Sequence, residues 1–475
     1  MTRPPAWLAA LAAVLALLPT ACGPGAPAAR RPNVLLITLD TTRADRFAAY
    51  GQTGREITPH LDAFAREGVV FEQSFSNSSF PPPSHASILT GRYPSEHGLM
   101  HWSDALGPVA TAAELFSAAG YRTLAASPLK TLFVVGLSRG FDSAEEFEHT
   151  QGDGLMYLAD APTINARVLP ALTADDERPF FAWLHYYDAH RVFGRQGEEW
   201  AQRYGSHPDP SVGGTEAWYQ LDPADRARLG ITPAQADFID DRYDGGLAYL
   251  DEQIGVLLDE LRAAGVLDDT LVVITADHGE VLHEHDEEWY SHDPYLVEEN
   301  IRVPLLVRLP GGEHAGTRVP DLVQGVDVLP TLLALTGVDA GGARFSGLDL
   351  SPTLEGRALR RDFVYAERRS RDREGQEGLG IEEVRAERDR RRMLRTATHK
   401  LIQAPDRGTT ELFAVDDEHR DVSGSSPDVF HGLMGLYTRQ LEALQPVDDT
   451  GEAGGLDPET EAMLRELGYL EGRDP

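Results

Sequence analysis

Apolar residues along this chain gather in short runs that alternate with stretches of helical spacing. Residues 34–39 (VLLITL) are apolar except for Thr38, the pattern of a strand covered on both faces of a parallel sheet, and they run directly into Asp40. Residues 180–184 (FFAWL) repeat the pattern and are followed by His185, Asp188 and His190. A third run, 271–275 (LVVIT), comes after a long helix in which Leu247, Leu250, Ile254, Leu257, Leu258 and Leu261 recur at helical spacing, and it leads to Asp277 and His278. Three buried strands therefore deliver polar groups at their C-terminal ends, the edge where open α/β sheets bind ligands. A carboxylate there is costly to bury unless it is paired or coordinated. For any one of these aspartates alone, the alternative is a cap on a helix.

Thr58-Pro59 starts a helix carrying Leu61 and Phe64, with proline where helices tolerate it. Residues 360–392 are densely charged and read as a solvated helix or loop. Beyond them MLRTATHKLIQ and TTELFAVD predict two strands of a small C-terminal subdomain, and residues 459–467 a short amphipathic helix ending at Gly468. No internal repeat is present. At the other end, Arg3 precedes an apolar stretch from 7 to 18, shorter than the ~20 residues a spanning helix needs, so an export signal is the reading. Cys22, after Thr20 and Ala21, resembles the lipidated cysteine of a bacterial lipoprotein signal, with Pro19 where such signals usually carry Leu. An ordinary cleaved signal is the alternative. GPGAPAARR then forms a tether. The expected order is signal 1–21, linker 22–31, main domain 32–359, subdomain 360–445 and tail 446–475.

A length of 475 residues suits one large α/β domain with a smaller partner, and 41% hydrophobic with 25% charged residues is the balance of a soluble globular protein. The net charge of −33 excludes nucleic acid as a partner, because a phosphate backbone needs clustered Lys and Arg. An anionic substrate needs local positive charge, such as a metal ion, against that field. With one cysteine there is no structural disulfide. The stretch SFPPPSHASILTGRYPSEHG, from Ser79, joins a proline stack, a helix-like run and a Thr-Gly stop, the build of a loop feeding an anion-binding helix N-terminus.

Taken together, NVLLITLDTTRADRFAAYG, PPSHASILTGRYPSEHG, GYRT with GLSRGFD, FFAWLHYYDAH, and DDTLVVITADHGE with EENIRVPLLVRLPG resemble the sulfatase family of the alkaline phosphatase superfamily, over residues 32 to about 440. The resemblance implies an α/β fold: a mixed, mainly parallel sheet sandwiched by helices, with a small C-terminal α+β subdomain. It implies hydrolysis of a sulfate ester, or of a phosphate or phosphonate ester, with one divalent cation, a nucleophile and a leaving-group acid. Asp40 matches the first metal carboxylate, and Thr41 stands where a second aspartate is common. Asp277 and His278 match the later metal pair, where many sulfatases have Asn in place of His. That nitrogen ligand makes Mn²⁺ or Zn²⁺ as fitting as Ca²⁺.

In the family's pattern the nucleophile, a Cys or Ser matured to formylglycine, or Thr in a related branch, falls on Pro81. Proline has no hydroxyl or thiol and cannot become formylglycine. Three readings stay open: attack by a water activated at the cation, substitution by Ser79 or Ser84, or a noncatalytic protein that binds sulfated or phosphorylated glycans. His85 takes the place of the family's arginine and is expected to hold substrate oxygens, with Ser84 beside it. His190 matches the active-site histidine and is the expected leaving-group acid; His292 falls where a lysine or histidine faces the transferred group. The Lys-x-His pair is replaced by Pro128 and Lys130, and Lys130 is expected to bind substrate. His185 reads as a structural strand-end histidine, and His283 and His285 as parts of an exposed acidic loop rather than a second metal site. The implied setting is the bacterial cell envelope, with membrane contact only through a lipid on Cys22.

Overall fold

The computed structural model describes residues 30–447, apart from 148–149, 153–154, 191–199, 201, 205–232, 286–291, 293–294 and 370–389, and adds Leu464. The export signal, most of the tether and, Leu464 apart, the 459–467 helix lie outside the described residues. Among the described residues, fourteen strands follow in chain order: β1 (Asn33–Leu39), β2 (Val69–Phe75), β3 (Arg122–Ala126), β4 (Ser143–Glu145), β5 (Thr150–Gly152), β6 (Leu155–Tyr157), β7 (Phe180–Tyr186), β8 (Thr270–Ala276), β9 (Leu305–Arg308), β10 (Thr317–Gln324), β11 (Val364–Arg369), β12 (Arg390–Arg395), β13 (His399–Ala404) and β14 (Thr409–Ala414). Eight of them form one sheet in the order β10-β2-β9-β8-β1-β7-β3-β4. Only β9 in it runs against its neighbours. This is the mixed, mainly parallel sheet expected.

Alternation along β1 explains why its sequence is apolar throughout. Val34 and Leu36 join Phe181, Trp183, Leu271 and Val273 in a core that includes the helices Pro81–Thr90, Ala112–Ala118 and Val328–Thr336. Leu35, Ile37 and Leu39 join Ala182, Leu184, Val272 and Ile274 in a second core under the helices Pro59–Glu67, Ala161–Leu172 and Pro233–Ala263. With helices on both faces, each fully buried Leu or Ile contributes ~1.5–3 kcal/mol relative to exposure. Thr38, the polar break in β1, is fully buried and takes the indole N–H of Trp183 at 3.0 Å. It needs a partner there because a buried hydroxyl without one is costly.

Several local expectations change in the tertiary context. β7 runs two residues past Leu184, so His185 lies inside the strand. Thr58 does not cap the main chain of the helix Pro59–Glu67; its hydroxyl donates to Asp62 at 3.1 Å. MLRTATHKLIQ is not one strand but a hairpin: Thr396 donates to the His399 carbonyl at 2.9 Å and the chain turns back into β13. The charged stretch is partly strand, β11 at its start and β12 at its end pairing antiparallel, because Val364, Ala366 and Met393 have apolar neighbours to cover them. β11 to β14 form the small C-terminal sheet, which packs Tyr365, Leu394, Leu401 and Leu412 against the helix Pro427–Ala443. Its other face meets Phe75, Leu296 and Ile301.

Asp188, one of the strand-end aspartates, accepts the Ala161 N–H at 3.0 Å and so caps the helix Ala161–Leu172. Burial, with Asp160 nearby, raises its carboxyl to about 7. The unfolded carboxyl ionises near pH 4, whereas the folded one keeps its proton to about pH 7, so this group withdraws stability as pH rises through that window. Asp188→Asn is therefore expected to stabilise the protein at pH 8 by ~1–4 kcal/mol while changing little at pH 4. Thermal melts of the two proteins across that range check it; a difference that does not grow with pH contradicts it.

Candidate active site

The site is built by register. Leu39 of β1 pairs with Tyr186 of β7 on one side and Ala276 of β8 on the other, so Asp40 and Asp277 leave the sheet side by side with His185 just behind. The Asp40 N–H donates to the Tyr186 carbonyl at 2.8 Å, which continues the ladder one residue further. Thr41 then turns into the left-handed region at φ 49, uncommon for a β-branched residue. That turn points its N–H at Asp277 Oδ1, 3.2 Å away, while its hydroxyl donates to the Ala189 carbonyl. Thr41 thus orients a ligand through its main chain.

Asp277 Oδ1 also accepts the His278 N–H at 2.8 Å. The His278 Nδ1 lies 2.9 Å from the Gly279 carbonyl, and since a carbonyl only accepts, Nδ1 carries the proton and Nε2 keeps its lone pair. Gly279 is required: a Cβ there would sit 2.0 Å from the Glu299 carbonyl oxygen. Behind the loop, Arg43 grips Asp45 through two hydrogen bonds, Glu284 through a third and the Glu280 carbonyl through a fourth. The guanidinium therefore ties the loop after β1 to the loop after β8.

Asp40, Asp277, His85, His185 and His278 are completely buried. Both Asp40 carboxylate oxygens, Asp277 Oδ2, His185 Nε2 and His278 Nε2 have no hydrogen-bond partner among the described residues. Asp40, Asp277 and His278 each bring one donor atom within 4.8 Å of the others, and so do His85, His185 and Asp277. Burial, aided by the Glu280 carboxylate, drives the Asp40 carboxyl well above its ordinary value, and burial plus the Asp40 charge does the same to Asp277. Burial pushes His278 and His85 far down and His185 to about 3, so all three are neutral bases at pH 7. Penalised carboxylates beside bare imidazole nitrogens are a donor set suited to a divalent cation.

The remaining histidines form a file leading away from these groups. The His278 ring stacks on His292 with centroids 4.6 Å apart; His292 meets His190 edge to face at 5.5 Å, and His190 stacks on Tyr187 at 4.1 Å. His292 Nδ1 lies 3.2 Å from Glu280 Oε2. Phe80 sits 6.5 Å from His292, stacks on His101 and carries the Arg368 guanidinium 3.9 Å above its ring. Arg368 belongs to β11, so the C-terminal sheet supplies part of the wall. It is anchored there by buried Lys400, which pairs with Glu298 at 2.8 Å and Glu418 at 2.6 Å.

The helix Pro81–Thr90 departs from the anion-binding expectation. Its first three residues are prolines with no N–H to offer, and the first amide, that of Ser84, is already bonded to the Phe80 carbonyl at 3.2 Å. The expected stop holds: Gly91 closes the helix at φ 66. Ser84 faces inward rather than toward a ligand. Its hydroxyl and that of Ser76 converge on the main-chain carbonyl of Asp277. Ser79 is buried, with no partner for its hydroxyl among the described residues. Lys130 heads the turn Lys130–Leu132 just past β3, at the same edge of the sheet.

His185, read from the sequence as structural, lies 3.2 Å from Asp40 Oδ2. Its place depends on which strand neighbours β1, which no single strand discloses. Glu280, the last residue of the DHGE motif, joins the site through His292, a contact that the motif by itself does not disclose. His283 and His285 instead pair separately, with Asp240 and Glu299, each at 3.0 Å.

A sequence model described as Sulfatase matches residues 32–338. The ulvan-active sulfatase of Formosa agariphila is 28% identical over 352 residues, 68% of this chain and 65% of that protein. The N-sulphoglucosamine sulphohydrolase of Homo sapiens is 30% identical over 265 residues, 53% of this chain and 51% of that protein. The matched region thus spans less than two thirds of each of these relatives. Among solved structures, the phosphonate monoester hydrolase of Agrobacterium radiobacter shares the fold with a TM-score of 0.67 at 22% identity, over 87% of this chain and 95% of that one. With that match running through every strand that carries the buried carboxylates and imidazoles, the chain belongs to the sulfatase family.

Proposed function

We propose that this protein hydrolyses a sulfate, phosphate or phosphonate ester with a divalent cation held by Asp40, Asp277 and His278. One observation carries the reading: their unpartnered oxygens and nitrogen converge in a fully buried place, an arrangement that positive charge would stabilise. When bound, such a cation draws electron density from an ester oxygen and offsets the negative field of the chain. The mixed oxygen and nitrogen donors suit Zn²⁺ or Mn²⁺ as well as Ca²⁺.

The chain's own residues supply the rest. Glu280 holds the Nδ1 proton of His292 and leaves Nε2 for the substrate. His292 and His190, in edge-to-face contact, are placed to bind the transferred group and to protonate the leaving oxygen. Lys130 adds positive charge at the same edge of the sheet. Pro81 offers no nucleophile and Ser84 is committed to the Asp277 carbonyl, which leaves water as the attacking group in this reading and Ser79 as the remaining hydroxyl. Pro81 also favours a second reading, a noncatalytic binder of sulfated or phosphorylated glycans. Arg3, the apolar stretch 7–18 and Cys22 support export and a lipid anchor in the bacterial cell envelope.

Asp277→Ala is expected to abolish both bound metal and turnover of aryl sulfate, phosphate and phosphonate esters. Metal bound to the unaltered protein without turnover of any ester selects the binder instead. Pro81→Thr restores a hydroxyl at the family's nucleophile position and is expected to raise turnover; an unchanged rate speaks against that placement of Pro81. Glu280→Gln is expected to lower kcat about 10–100-fold with folding intact, as measured by initial rates beside circular dichroism.

A further inference from the structure

The turn at Thr41 that aims an N–H at Asp277 is held by a residue from a distant part of the chain. Tyr243 lies in the helix Pro233–Ala263 and is completely buried. Its hydroxyl donates to the Thr41 carbonyl at 2.7 Å and accepts the Arg43 N–H at 3.1 Å. One oxygen thus bridges the main chain across Thr42. The ring is fixed in turn by the Arg46 guanidinium, 5.8 Å from its centroid, which pairs with the neighbouring Asp244 at 3.4 Å.

The bridge matters because of what the turn costs and what it delivers. A β-branched residue at φ 49 holds a conformation that it rarely adopts, and surrounding contacts must compensate for it. Two contacts do so: the Thr41 hydroxyl on the Ala189 carbonyl at 3.2 Å, and the Tyr243 hydroxyl on the Thr41 carbonyl. In that conformation the Thr41 N–H reaches Asp277 Oδ1. Together with the His278 N–H it occupies Oδ1 and leaves Oδ2, buried and with no hydrogen-bond partner among the described residues, 3.5 Å from His278 Nε2. At its other end the bridge holds the root of Arg43, whose guanidinium ties Asp45 to Glu284 and to the Glu280 carbonyl.

We propose that Tyr243 is a positioning residue of the hydrolytic site: its hydroxyl keeps Thr41 in the left-handed turn, and the turn keeps the Asp277 carboxylate in the orientation that presents Oδ2 as a ligand. Tyr243 acts through Thr41, as supporting groups set affinity by orienting the ligands themselves. The inference rests on the reading of Asp277 as a cation ligand, and its test tells the two apart.

Tyr243→Phe keeps the ring and removes the hydroxyl. Tyr50 supplies the control, because its hydroxyl also bridges main chain, donating to the Leu305 carbonyl at 3.2 Å and accepting the Leu305 N–H at 2.7 Å, on β9 rather than at the Thr41 turn. The full chain and its variants are compared by circular dichroism, thermal melts and Zn²⁺ affinity in competition with a chelator. Both Tyr243→Phe and Tyr50→Phe are expected to melt lower, each having lost two main-chain contacts, but only Tyr243→Phe is expected to bind Zn²⁺ more weakly, by about 10–100-fold. Glycine adopts φ 49 without strain, so in a Thr41→Gly background the same substitution is expected to cost less than about threefold. Unchanged affinity in folded Tyr243→Phe, with the ion lost in Asp277→Ala, overturns the positioning role and leaves the ligand standing. A loss as large in Tyr50→Phe, or undiminished in the Thr41→Gly background, also overturns it. If Tyr243→Phe alone does not fold, its combination with Thr41→Gly carries the test, and failure of that pair to fold overturns the inference. No ion on the unaltered protein overturns the ligand reading and this inference with it.

Discussion

Two completely buried carboxylates, Asp40 and Asp277, set the terms for everything near the C-terminal edge of the sheet. Burial raises the proton affinity of both, the Glu280 carboxylate adds to it at Asp40, and the Asp40 charge adds to it at Asp277. A fold keeps such a pair only if the main chain forces them together and something compensates them. The forcing is plain: β1, β7 and β8 run parallel in fixed register, and the residues after Leu39 and Ala276 have no choice but to emerge together. Thr41 in the left-handed region, Gly279 against the Glu299 carbonyl and the Arg43 clamp are the further costs of holding that arrangement.

The imidazoles around the carboxylates are kept neutral by the same burial that penalises the acids. A neutral imidazole is a ligand or a base, and a protonated one is neither, so the dryness of the site serves both halves of the donor set. Main-chain carbonyls do the orienting: Gly279 for His278, Pro81 for His85 and Thr38 for His185. The proline stack therefore has a structural use even without a nucleophile, since the Pro81 carbonyl directs the His85 ring. Prolines at the first helical positions also remove the amides that would otherwise be free to receive an anion.

The small C-terminal sheet is part of the site's wall. β11 carries Arg368 over Phe80, and β13 carries Lys400 between Glu298 and Glu418. A fully buried lysine is tolerable only with such partners.

Local pattern in the sequence was enough for the three central strands, the long helix beneath them and the polar groups at their ends, because an apolar run with helices on either side has only one stable placement. Motif order was enough for the family and to single out Asp40, Asp277 and His278, whose donor atoms the fold brings within 4.8 Å of one another. It was not enough for His185, because its neighbour across the ladder is Thr38, 147 residues away. Nor did it disclose the hairpin hidden in MLRTATHKLIQ, the inward turn of Ser84, or Arg368 over Phe80. Each of these depends on a partner from a distant segment, and only packing of the whole chain determines which distant groups meet.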